Sequence, residues 1–103
     1  MDYDDAQDET AEGSVDDLNI ERWEEGELIL KVLDKEILTR GAWATIMFLY
    51  QELDPKTKVF KPPAARIVRY HKVKGRFRPQ SKMNISNAKQ GLAIATVLQK
   101  WFK

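Results

Sequence analysis

Apolar residues first gather at Leu28, where Leu28, Ile29, Leu30, Val32 and Leu33 form a run of strand length. Ile37-Leu38-Thr39 continues it beyond the polar break Asp34-Lys35-Glu36, and Arg40-Gly41 predicts a turn. From Ala42 to Tyr50 two alternating sets are both apolar: Trp43/Thr45/Met47/Leu49 and Ala44/Ile46/Phe48/Tyr50. A strand of that kind is either covered on both faces, or covered on one and used for binding on the other. Periodicity alone also permits a buried helix there. Asp54-Pro55-Lys56-Thr57-Lys58 is a turn signal and Lys61-Pro62-Pro63 a second breaker. Ala65 to Val73 reads as a strand, with Ile67/Arg69/His71/Val73 alternating against Arg66/Val68/Tyr70/Lys72. Gly75 permits a tight turn, and Arg76-Phe77-Arg78-Pro79 opens an arm that ends at Met83-Asn84-Ile85.

The last element is predicted to be a helix. Asn87 with Gln90 three residues later is a variant of the capping box, and Ser86 is an alternative cap. At the helical period, Ile94, Val97, Leu98, Trp101 and Phe102 share an arc of about 140°, opposite Lys89, Thr96, Lys100 and Lys103. That face is expected to pack on the sheet, with Leu92 left for a second contact such as a partner helix. Residues 1–19 lack periodicity and are rich in Asp, Glu, Gly and Ser, too polar to offset the entropy of ordering them. Ile20 to Glu25 is ambiguous, and Trp23 is a candidate to dock on the body. The expected organisation is a disordered acidic tail, 1–22, and one α+β domain, 23–103, of three or four strands and a C-terminal amphipathic helix.

Charge changes the picture more than composition does. The net charge is only +1, yet all sixteen acids lie between Asp2 and Asp54, and residues 55–103 hold thirteen Lys and Arg with no acid. Asymmetry of this size points to a nucleic-acid or membrane partner, or to an acidic tail beside a basic body. Internal ion pairing between the halves is the plainer alternative, although exposed pairs are worth little. The absence of Cys excludes disulfides and thiolate metal sites. No apolar run approaches the ~20 residues of a membrane span, and the acidic start is unlike a signal peptide. A cytoplasmic or nuclear protein, without cofactor or metal, is expected.

Catalytic chemistry finds little support. The single histidine, His71, stands beside Arg69 and Lys72 with no orienting carboxylate nearby, and no phosphate-binding glycine motif occurs. It reads as a partly exposed strand residue or as a contact to phosphate or base. The basic stretch is more telling. Lys56, Lys58, Lys61, Arg66, Arg69, Lys72, Lys74, Arg76, Arg78 and Lys82 fall within 27 residues, interleaved with Phe60, Tyr70 and Phe77. Lys and Arg neutralise phosphates, and aromatic faces stack unpaired bases at ~1–3 kcal/mol each. A duplex hides its base faces, so strand-borne aromatics favour single strands. The ten bases with Tyr70 and Phe77 are the candidate nucleic-acid-binding residues, against the plainer reading of the aromatics as sheet packing.

Ile67-Val68-Arg69-Tyr70-His71, the turn at Lys74-Gly75, then Arg76-Phe77-Arg78-Pro79-Gln80-Ser81-Lys82 and Ile85-Ser86-Asn87 leading into a helix resemble the transcriptional coactivator family positive cofactor four. That family includes bacterial and phage members and is architecturally similar to the Whirly proteins. The resemblance covers about residues 26–103. It implies a curved antiparallel sheet of four strands followed by one helix, dimerisation through the helices, and β-ribbons that grip single-stranded DNA. Arg69 matches a basic strand position that contacts DNA, and Arg78 and Lys82 match the basic residues flanking the family's arm. Gln80-Ser81 and Met83-Asn84 depart from the family's pattern, as does Lys72, where an aromatic is usual.

The leading expectation is thus a homodimeric, largely sequence-independent single-stranded DNA or RNA binder, a possible cofactor of transcription, replication or repair. Its alternative is a protein–protein interaction module that offers the basic ribbon to an acidic partner. Residues 2–17 carry eight acids and no base, so the tail is a candidate intramolecular competitor for the same ribbon, or simply a solubilising segment.

Overall fold

The computed structural model describes residues 11–12 and 14–103. Four long strands form the body: β3 (Glu27–Thr39), β4 (Trp43–Glu52), β5 (Ala64–Val73) and β6 (Arg76–Ile85). Two short strands, β1 (Ala11–Glu12) and β2 (Arg22–Glu24), cap the edges, and the chain ends in α1 (Ala88–Trp101). All pairings are antiparallel, in the order β1-β6-β5-β4-β3-β2. The result is the α+β architecture expected, a curled half-barrel sheet followed by one helix.

The chain turns where short-range chemistry tells it to. Lys74 and Gly75 both have positive φ (54° and 80°), the mirror-image turn whose twist suits a two-residue hairpin between β5 and β6. Between β4 and β5, Asp54 Oδ1 accepts from the Lys56 and Thr57 amides at 2.8 and 3.1 Å and folds the Pro55 turn around itself. Curvature comes from extra residues. Leu33 and Leu38 of β3, Ile29 beside β2 and Gln80 of β6 each lack a counterpart on the neighbouring strand, which bends and twists the sheet locally.

Alternation gives the sheet two different faces. On one, Ala44, Ile46, Phe48 and Tyr50 of β4 lie beside Val68 and Tyr70 of β5, all buried. Leu30 and Phe77 complete this core from the flanking strands. Its cover is the segment Ser14–Ile20, a strap containing a single 3-10 turn (Val15–Asp17), which seats Val15, Leu18 and Ile20 in the core. Leu18 is 2% exposed and Ile20 1%.

That observation corrects the expected tail boundary. Residues 14–22 belong to the fold; residues 1–10 and 13 lie outside the described residues. The physical reason is that the segment need not build a core of its own. Three apolar side chains land on a face already formed by β4 and β5, and each such burial contributes about 1.5–3 kcal/mol. Cations then satisfy the polar remainder: Lys35 Nζ donates to the carbonyls of Asp16 and Leu18 at 2.6 Å, and the Arg40 guanidinium grips both oxygens of the Asp16 carboxylate. Trp23 lies in β2 and is exposed, its indole N–H directed to Glu21.

The helix begins as predicted. Asn87 Oδ1 accepts from the Gln90 amide, and Gln90 Oε1 accepts in return from the Ser86 amide, both at 2.8 Å. Its apolar side, however, is not packed on the sheet, contrary to expectation. The close approach is at Gly91, where an added Cβ would lie 3.4 Å from Ile85. Beyond it α1 stands off, with Leu92, Val97, Leu98, Trp101 and Phe102 all exposed. Between helix and sheet runs an apolar groove of about 720 Å³ walled by Met47, Leu49, Ile67, Ile85, Leu92 and Leu98. The sheet face on this side is the helix face; the other is the strap face.

Candidate nucleic-acid interface

Because Ala44 and Tyr70 point into the core, Trp43, Arg69 and His71 must point to the helix face. The register sets them side by side: Trp43 pairs with His71, which pairs with Arg78, and Thr45 pairs with Arg69, which pairs with Ser81. The indole and imidazole stack with centroids 3.9 Å apart and planes within 10°. The Arg69 guanidinium lies 4.5 Å from the Trp43 ring centre, a cation–π contact. Trp43 is nonetheless 44% exposed. Arg76 and the turn residue Lys74 lie just beyond, where β5 meets β6. No carboxylate occupies a helix-face position of β4, β5 or β6; on the flanking strands Glu12 pairs with Arg76 in the register, and Asp34 and Glu36 pair with Leu49 and Met47.

The candidate residues separate into three groups. Arg69, Arg76 and Arg78 share the helix face around Trp43 and His71, with Lys74 exposed at the hairpin beside them. Lys72 and Lys82 are exposed but fall on the strap face, opposite Phe77 and Val68, and Lys72 Nζ sits 5.3 Å over the Phe77 ring. Lys56, Lys58 and Lys61 are at the far end of the sheet, because β4 carries the chain roughly 30 Å at ~3.3 Å per residue. There Lys58 pairs with Glu27 at 3.0 Å. The single ribbon expected over 56–82 is therefore two basic ends.

Three candidates are corrected outright as contacts. Tyr70 is 1% exposed and Phe77 is buried beneath Lys72, so neither offers a ring face to a base. Arg66 is 6% exposed; its Nε donates to Asn84 Oδ1 at 2.7 Å and its guanidinium covers the Tyr50 ring at 4.8 Å. All three share one cause, a place on the strap side of the sheet: Arg66 and Tyr70 in β5, and Phe77 opposite Lys72 in β6. Phe60, half-buried, lies under Lys31 Nζ at 4.2 Å, at the far end.

Sequence reasoning passed over Trp43, the exposed aromatic beside Arg69. Trp43 belonged to one of two apolar sets in β4, and only the position of the strap decides which set is covered. Its signal was the alternative in which one face is used for binding. Arg40, close in sequence, is committed elsewhere: its hydrogen bonds, with help from Ser14, hold the Asp16 carboxyl at a pKa of about 2, and Arg40 is pushed upward in return. Backbone amides of Thr57 and Lys56 likewise lower Asp54.

Among the described residues no group of three or more His, Cys, Asp or Glu gathers to hold a metal, and no helix is long and apolar enough to cross a membrane. No protein-family model matches the chain, and neither curated proteins nor solved structures show a significant match.

Proposed function

We propose that this chain is a largely sequence-independent binder of single-stranded nucleic acid, DNA or RNA, without catalytic activity. The observation that carries this reading is the Trp43–His71 stack, open to solvent and set beside Arg69 and Arg78, where β4, β5 and β6 place no carboxylate on the helix face. Cations there hold phosphates, while the indole supplies a platform that accepts any unpaired base. A duplex offers no base face to such a platform, and the one helix carries its apolar side, rather than its bases, outward. The resemblance to positive cofactor four agrees with this reading, with Arg69 and Arg78 as phosphate contacts and a role in transcription, replication or repair in cytoplasm or nucleus.

The exposed apolar side of α1 completes the proposal. Leu92, Leu98, Trp101 and Phe102 are large residues that a second copy's helix would cover, giving a homodimer with two basic aromatic surfaces.

The test is a salt titration with a fluorescent oligonucleotide. Log affinity is expected to fall linearly with log salt, by ~0.7 per phosphate neutralised, and single strands are expected to outcompete duplex. No binding at low salt, or indifference to salt, overturns the reading and moves the basic face to an acidic protein partner.

A further inference from the structure

Arg66 is the one charged side chain buried among the described residues, and it makes no ion pair there. A guanidinium withdrawn from water without an opposite charge is costly, and a bound anion would offset that cost. Its one side-chain hydrogen bond among the described residues runs from Nε to Asn84 Oδ1 at 2.7 Å, which leaves both Nη groups for other partners. On its other side the guanidinium lies 4.8 Å from the Tyr50 ring centre. Burial keeps Arg66 from a strand laid across the sheet, but not from a group small enough to enter beside it.

The two side chains that flank this guanidinium, Tyr50 and Asn84, are also walls of a cleft of about 390 Å³, near the passage from β6 to α1. Lys61 and Asn87 line it with them. These walls present donors. Asn84 Oδ1 is taken by Arg66 and Asn87 Oδ1 by the Gln90 amide, so both side-chain amides keep their N–H groups for a ligand. Tyr50 is only 4% exposed, yet its hydroxyl makes no hydrogen bond among the described residues. Lys61 adds an exposed ammonium group. Of the described wall residues Glu52 alone carries a carboxylate, and it is exposed.

We propose that this cleft is a binding site for a single phosphate group, held by Arg66 with Tyr50, Asn84, Asn87 and Lys61. The planar fork of an arginine matches two phosphate oxygens, and a buried fork is already oriented for them. Neutral donors take the remaining oxygens, and the lysine adds charge. Glu52 repels further anions from the opening, so the cleft takes one phosphate rather than a run of them. Free phosphate and the terminal phosphate of a nucleic-acid strand share this chemistry. The second source rests on the proposed nucleic-acid binding; the site itself does not.

Thermal melts of the full chain test the site, with inorganic phosphate replacing chloride at constant ionic strength. The melting temperature is expected to rise with phosphate and to saturate. Arg66→Met, an apolar side chain of similar length, is expected to abolish the rise. Lys61→Ala, at an exposed position, is expected to weaken it and carries the test should Arg66→Met fail to fold. A melting temperature indifferent to phosphate, or a rise that both variants keep in full, overturns the site. Oligonucleotides with and without a terminal phosphate then distinguish the sources. A preference of about 10-fold or more for the phosphorylated end, lost in the same variants, assigns the strand end. Equal affinities beside an intact phosphate rise assign free phosphate. A chain that binds no oligonucleotide still answers through the melts, so the site and the nucleic-acid reading fail separately.

Discussion

Trp43 is half open to solvent and lies against cations rather than in the core, so its removal separates binding from stability. Trp43→Ala is expected to weaken single-strand binding by about 1–3 kcal/mol, some 5- to 150-fold, with little change in melting temperature. Fluorescence anisotropy and a thermal melt together check this; a variant that binds as tightly as the parent removes the platform. Sequence made the residue types legible but not their side. In β5 the alternation of Arg69/His71 against Val68/Tyr70 was plain, and it predicts that neighbours differ in burial. Which set faces water depends on Val15, Leu18 and Ile20, three residues some fifty positions away in an acidic segment. That is why Tyr70 and Phe77 were candidates and are core, whereas Trp43 was assigned to a strand and stands at the surface.

At the scale of elements, local signals fixed local outcomes. The Asn87–Gln90 cap, the Lys74-Gly75 hairpin and the Asp54 turn formed where their short-range bonds required. The strap was not legible, since composition does not reveal that a polar segment finds a finished apolar face. Its anchor has a pH signature. Asp16 titrates at about 2 when folded, below its ordinary 3.8. A lowered carboxyl contributes stability that is present above the unfolded value and lost as pH falls through 3.8 to about 2. Thermal melts of the parent and Asp16→Asn are therefore expected to differ near neutrality and to converge as pH falls through that window. Curves that stay parallel at low pH show that the Arg40 pair contributes nothing.

For the whole molecule, near neutrality conceals a division of charge and an incomplete surface. The basic residues divide between two ends of one sheet, and the apolar side of α1 is left exposed among the described residues. A stable dimer needs ~800 Å² per partner, an area that a helix of fourteen residues and the groove beside it can supply between them. The double variant Leu98→Asp/Trp101→Asp is expected to sediment as a monomer with far-UV circular dichroism unchanged, because neither side chain is buried in the single chain. A parent protein that already sediments as a monomer at micromolar concentration removes the dimer and leaves each basic face to act alone.

The strap has a further consequence, for the order of events in folding. β3–β4 and β5–β6 are hairpins between neighbours in sequence, whereas the strap meets Phe77 of β6 across some sixty residues. Closing a loop of that length costs entropy that only the completed sheet repays, so the strap docks after the hairpins have assembled. On the ribosome the strap emerges first and waits: until β6 follows, Ile46, Phe48 and Val68 lack their cover. Newly made chains thus pass through a stage with one greasy face bare, when chaperones and neighbouring nascent chains have their best access to them.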